Sequence, residues 1–86
     1  MRVLLPPALL PLFPGCPRAV DAEARTVAEL IDALDAQWPG MADRLRDSTP
    51  RVRRHINIFV AGERAGLDTS IPSGAEVFIM TAISGG

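Results

Sequence analysis

Apolar and polar residues alternate along this chain of 86 residues with two distinct periods, one helical and one strand-like. The helical period begins after Thr26. Val27, Leu30, Ile31, Leu34 and Trp38 recur every three or four residues, which places them on one face of a helix, with Asp32, Asp35 and Gln37 on the other side. Thr26 and Glu29 have the spacing of a capping box, and Pro39-Gly40 supplies the stop. Met41 to Arg46 predicts a further short helical turn, and Asp47 to Arg54 reads as a polar loop.

The strand period is clearest in two places. Ile56-Asn57-Ile58-Phe59-Val60 is rich in β-branched and aromatic residues, and Val77 to Ala82 predicts a last strand. Ala61 to Arg64 is expected to turn the chain, and Leu67 to Ile71 to form a weaker strand or a connection. Pro72 to Glu76 reads as a second turn. Near the start, Arg2 to Leu5 predicts a short strand stopped by Pro6-Pro7, and Arg18 to Asp21 a second strand pairing back on it. Residues 6–17 between them hold five of the eight prolines and are expected to be a stiff loop rather than a helix.

The predicted order is therefore β-β-α-β-β-β with one main helix. This is a two-layer α+β domain in which the helix covers one face of a mixed sheet of four to five strands. With the last strand returning through the middle of the sheet, the arrangement is the β-grasp, or ubiquitin-like, fold. All 86 residues are expected to form one such domain. Successive side chains on a strand face opposite ways. Ile56, Ile58, Val60, Val77, Ile79 and Thr81 are thus expected beneath the helix. Phe59, Phe78 and Met80, with Leu4, fall on the uncovered face. An exposed apolar patch of that kind marks a partner-binding surface, unless the proline-rich loop folds over it.

Charge and composition narrow the function further. The formal net charge is −1, so no global field favours nucleic acid or an anionic membrane. All nine basic residues are arginine, and the absence of lysine leaves the N-terminal amine as the only primary amine. A lone cysteine, Cys16, excludes an internal disulfide and a multi-cysteine metal or iron–sulfur site. The apolar start is broken by Pro6, Pro7 and Pro11, unlike a secretory signal, and no stretch approaches the roughly 20 apolar residues of a membrane span. A soluble, cytoplasmic protein is expected. His55 has no companion at metal-ligand spacing and reads as a strand-edge residue, and Arg51, Arg53 and Arg54 read as a solvated basic loop. No catalytic triad, paired carboxylate or phosphate-cradling loop is present.

The tail concentrates the remaining information. The last strand runs into Ser84-Gly85-Gly86. Without a Cβ, two glycines can lie extended in a channel too narrow for other residues. A mobile carboxylate with minimal side chains suits chemistry performed on the terminus by another protein, although a glycine pair alone also suits a frayed end.

Taken together, the hairpin start, the helix "TVAELIDALDAQWPG" followed by "MADRL", the strand "INIFVAGE" and the ending "PSGAEVFIMTAISGG" resemble the MoaD/ThiS family of ubiquitin-like sulfur carriers over the whole chain. "RRHINIFVAGE" and the first loop resemble the CysO-type branch of cysteine biosynthesis. "AISGG" is equally similar to the small subunit of molybdopterin synthase. The first loop departs from the family pattern in its extra prolines and in lacking a glycine pair near its end.

The resemblance implies a carrier and not an enzyme. Gly86 would bear the reacting carboxylate, Gly85 would be the spacer that lies flat in a tunnel, and Ser84 would mark the end of the strand. An E1-like adenylyltransferase/sulfurtransferase of the MoeB/ThiF type would use ATP and Mg²⁺ to activate Gly86. The sulfur would then pass to an accepting enzyme, either cysteine synthase-like or the large subunit of molybdopterin synthase. The chain itself would bind no cofactor or metal. Three other readings share the tail or the fold: a ubiquitin-like modifier that forms amides with target lysines, a permanent molybdopterin synthase subunit, and a plain β-grasp binding module.

Overall fold

A computed structural model describes residues 1–48 and 52–81 of the chain. Its elements run β1 (Arg2–Leu4), a short 3₁₀ helix (Pro7–Leu12), β2 (Ala19–Asp21), α1 (Val27–Gln37), α2 (Met41–Leu45), β3 (Ile56–Val60), β4 (Glu63–Ala65) and β5 (Val77–Thr81). The sheet order is β2-β1-β5-β3-β4, with β1 parallel to β5 and every other pairing antiparallel. A late strand between the first and third, with one long helix across one face, is the expected β-grasp arrangement.

Helix α1 forms where the apolar stripe predicts it. The Thr26 hydroxyl accepts from the Glu29 amide at 3.2 Å, and the Glu29 carboxylate reaches back to the Arg25 amide at 3.2 Å. The second half of the box thus lands one residue before the cap, and two N-terminal amides are still satisfied. Val27, Leu30, Ile31 and Leu34 are fully buried against Val3, Ile56, Ile58, Val77 and Ile79 from the sheet. Burying each such side chain contributes about 1.5–3 kcal/mol, so this one layer dominates the stability. Trp38 closes the helix and lies at the margin of the core rather than within it. Gly40 then takes φ 98°, a left-handed conformation open to glycine, and starts α2. Asp35 fastens the corner, its Oδ1 accepting from the amides of Gly40 and Ala42, each at 3.0 Å.

Two segments differ from the sequence expectation. The proline-rich stretch contains a 3₁₀ helix, closed by the Leu9 amide on the Pro6 carbonyl and the Phe13 amide on the Leu10 carbonyl. Proline's fixed φ fits a short 3₁₀ turn, and Leu9, Phe13 and Cys16 are drawn into the main core. The loop therefore packs beside α2 and does not fold across Phe59, Phe78 and Met80. The fourth strand is also earlier than expected. Glu63 to Ala65 pairs with β3, and residues 67–71 form a connection with a single bridge, Thr26 to Ser70. Val60 faces Glu63, so Ala61-Gly62 is a two-residue hairpin loop. Both its residues have positive φ, 50° and 85°, the pattern of a type I′ turn.

The amino terminus is tied to the edge of the sheet. The Met1 amine lies 2.9 Å from the Glu23 carboxylate and 3.3 Å from that of Asp21, and donates to the Ala22 carbonyl at 2.8 Å. The Glu23 hydrogen bond, together with Asp21, raises the amine's pKa above its ordinary 8.0. Burial likewise raises the Cys16 thiol above its ordinary 9.0. A folded-state pKa above the unfolded one gives stability that is complete below the unfolded value and lost as pH rises through the folded one. The melting temperature is thus expected to fall as pH rises above about 8. In a Cys16→Ser background, where the thiol no longer contributes, Glu23→Gln should flatten that fall. Equal slopes with and without Glu23 would show that the amine's pairing contributes nothing.

Candidate functional site

The site is built on β5. Because β5 lies between β1 and β3, its outward side chains fall at the centre of the uncovered face. Its last described residue is Thr81, which precedes residues 82–86 in the sequence. Val77 and Ile79 point into the core and Phe78 and Met80 point out, as strand alternation requires.

Register assembles the outward residues into a patch. Leu4 pairs with Phe78, Phe78 with Phe59, and Phe59 with Arg64, so one row crosses four strands. Ala19 of β2 extends it beside Leu4. Met80 and Asn57 form the next row, nearer the tail. Met80 is 48% exposed, and Leu4, Phe59 and Phe78 are each half-buried by their neighbours on the open sheet. The four expected partner-binding residues are therefore brought together. Far from the tail, Arg2 and Glu76 close the patch with an exposed ion pair at 3.8 Å, worth little to stability in water. An apolar centre with a polar rim is the anatomy of a protein interface.

Ser84, Gly85 and Gly86 lie outside the described residues, as does Ala82 of the expected last strand. Their attachment point is nonetheless defined. Thr81 pairs with Ile56 and faces the helix side, whereas Met80 beside it faces the open side. On the helix side Thr81 borders a cleft of about 590 Å³, walled by the 3₁₀ helix, α2 and the start of β3.

Sequence reasoning missed this cleft because it read residues 6–17 as a loop. The signal available was the spacing of three between Leu9 and Leu12 and between Leu10 and Phe13, which matches a 3₁₀ period. It also missed Arg64 and Ala19, whose places depend on the registers of β4 and β2. Of the basic cluster, Arg51 lies outside the described residues. Arg53 is bound to α2, its Nε donating to the Asp43 carbonyl and its amide to the Leu45 carbonyl. His55 is exposed at the entry to β3 and borders the cleft, and Cys16 is buried with its thiol on the Pro17 carbonyl. Among the described residues no group of three metal-ligating side chains converges, and no helix is long and apolar enough to cross a membrane.

Known proteins are similar to this chain in sequence and in fold. The ThiS family model matches residues 12–86. The sulfur carrier protein CysO of Mycobacterium tuberculosis is 35% identical, over 93% of this chain and 92% of that one. The crystal structure of M. tuberculosis CysO superposes with a TM-score of 0.85 at 32% identity, covering 95% and 98% of the two chains. The Amycolatopsis orientalis BexX/CysO complex contains a chain similar at TM-score 0.84 and 29% identity, over 99% and 98%. Small archaeal modifier protein 1 of Haloferax volcanii is 33% identical, over 78% of this chain and 76% of that one. The chain belongs to the ThiS family and is a ubiquitin-like sulfur carrier.

Proposed function

We propose that the chain carries sulfur as a thiocarboxylate on Gly86. The observation that carries this reading is the placement of β5. Its described residues run through the centre of an open apolar face, and Ser84-Gly85-Gly86 follow it in the sequence, in a chain whose family match extends to residue 86. Likeness to sulfur carrier proteins supports a carrier rather than a catalyst.

A carboxylate resists nucleophiles because its charge and resonance oppose attack. An E1-like adenylyltransferase/sulfurtransferase of the MoeB/ThiF type would join the Gly86 carboxylate to the α-phosphorus of Mg²⁺-bound ATP and release pyrophosphate. Hydrosulfide would then attack the carbonyl carbon and expel AMP, leaving the thiocarboxylate. A persulfide donor would give an acyl disulfide first, which a thiol then reduces. In the accepting enzyme the thiocarboxylate sulfur would attack an activated intermediate. Hydrolysis of the resulting thioester would return the Gly86 carboxylate and leave the sulfur on the product. The chain's own contribution is positional: Gly85 and Ser84 admit the tail to a tunnel, and Leu4, Phe59, Phe78 and Met80 dock the enzyme that owns it.

Similarity to CysO favours a cysteine synthase-like acceptor over the large subunit of molybdopterin synthase. In this reading the carrier works in the cytoplasm and exchanges partners rather than remaining as a permanent subunit. Similarity to small archaeal modifier protein 1 supports a second reading, conjugation of Gly86 to protein amines through the same adenylate. Intact-protein mass after incubation with a MoeB/ThiF-type enzyme, ATP, Mg²⁺ and sulfide separates them. Exchange of one oxygen for sulfur, lost on deletion of Gly86, is the expected result. A protein-sized adduct without sulfur gain would establish the modifier, and an unchanged mass would overturn both.

A further inference from the structure

We infer that the cleft beside Thr81 is a second docking site, which receives an acidic segment of the enzyme that holds the tail. The inference rests on the proposed function, because it takes the tail to be held. Its starting point is position. Met80 and Thr81 are consecutive, and they border the open apolar face and the cleft respectively, on opposite sides of the sheet. An enzyme that encloses the chain from Thr81 onward meets both surfaces, one on each side of the tail's root.

The chemistry of the cleft differs from that of the face. Its floor is apolar: Leu9 and Ile56 are almost wholly buried, and Leu12 stands 49% exposed above them. Leu12 and Met80 are the two large apolar side chains most open to solvent among the described residues, and they flank the tail's root on its two sides. Among the described residues the rim carries Arg44, Arg53 and His55 against one carboxylate, Asp43, in a chain whose overall formal charge is −1. Arg53 is spent on the Asp43 carbonyl. The side chains of Arg44 and His55 make no hydrogen bond or ion pair with any described residue. Arg44 is an always-charged donor fork, suited to a carboxylate. A free cation over an exposed leucine fits a peptide segment with Asp or Glu beside one apolar side chain. An acidic docking segment also leaves the tail itself free for its tunnel.

The test uses the full chain with a MoeB/ThiF-type enzyme, reading the KM and kcat of ATP-dependent Gly86 activation. Arg44→Glu and Leu12→Asp are both exposed substitutions, and circular dichroism checks that each folds. Each is expected to raise KM for the carrier roughly five- to tenfold with kcat unchanged, since like charges placed across an interface repel. Added salt should weaken wild-type binding and leave Arg44→Glu less affected. Unchanged KM in both variants would overturn the second site while leaving the carrier reading intact. If the wild-type chain is not activated at all, the carrier reading fails separately. The cleft is then judged by NMR titration with the peptide acetyl-Glu-Glu-Leu-Asp-Glu-amide. Amide shifts confined to residues around Leu12, Arg44 and His55 would support it, and no shifts would overturn it.

Discussion

Valine in place of Gly85 is expected to abolish activation of the chain while leaving its melting temperature unchanged. The residue lies beyond β5 in the sequence and, as a glycine, has no side chain to bury. Stability therefore has no reason to respond. The tunnel proposed to receive the tail would respond, because a β-branched side chain both widens the chain and narrows its backbone freedom. Displacing the Gly86 carbonyl by about 1 Å from the line of attack costs on the order of a hundredfold in rate. Intact-mass analysis after incubation with the activating enzyme should show no sulfur gain in Gly85→Val, and recovery in Gly85→Ala should be partial. Full activity in Gly85→Val would show that the tail is not threaded through a confined channel.

Phe78→Asp is expected to have the second-largest effect, through affinity. Phe78 is the hub of the open face, in register with Leu4 on one side and Phe59 on the other. Central aromatic residues of an interface contribute on the order of 2 kcal/mol or more, roughly thirtyfold in binding. The carboxylate in the variant would also be buried without a partner when the enzyme docks. Isothermal titration calorimetry with a catalytically inactive activating enzyme should show this weakening, and Glu76→Gln at the rim should bind nearly as wild type. The same affinity in Phe78→Asp as in wild type would remove the open face from the interface. The two variants separate the contributions: Gly85→Val should still bind, whereas Phe78→Asp should still react when the enzyme is in excess.

The parts of this molecule that were legible in the sequence are those where burial imposes a period. β3 and β5 are buried on one side only, so Ile56, Ile58, Val60, Val77 and Ile79 alternate with outward residues, and the face of each followed directly. The stripe of α1 and its cap were equally plain. β4 was not, because Glu63-Arg64-Ala65 is a polar edge strand whose existence depends on the Ala61-Gly62 turn and on β3 beside it. Tertiary pairing made that strand, and no local pattern announced it. The 3₁₀ helix was hidden by its prolines, which suit a turn and a loop alike until Leu9 and Phe13 find a core to enter. The apolar half of the site was thus open to sequence reasoning, while the cleft required knowing where the proline-rich segment packs.

The central place of β5 has a mechanical consequence. A chain drawn by its tail into an enzyme is loaded at Thr81, and the strand that bears the load is hydrogen-bonded along both edges, to β1 and to β3. Tension along β5 therefore shears two ladders at once, whereas an edge strand such as β4 could be unzipped bond by bond. The register residues Val3, Leu4, Ile58, Phe59 and Val60 share that load with the core beneath them. The domain can consequently serve as a rigid handle, keeping its docking surfaces intact while its last residues are pulled straight.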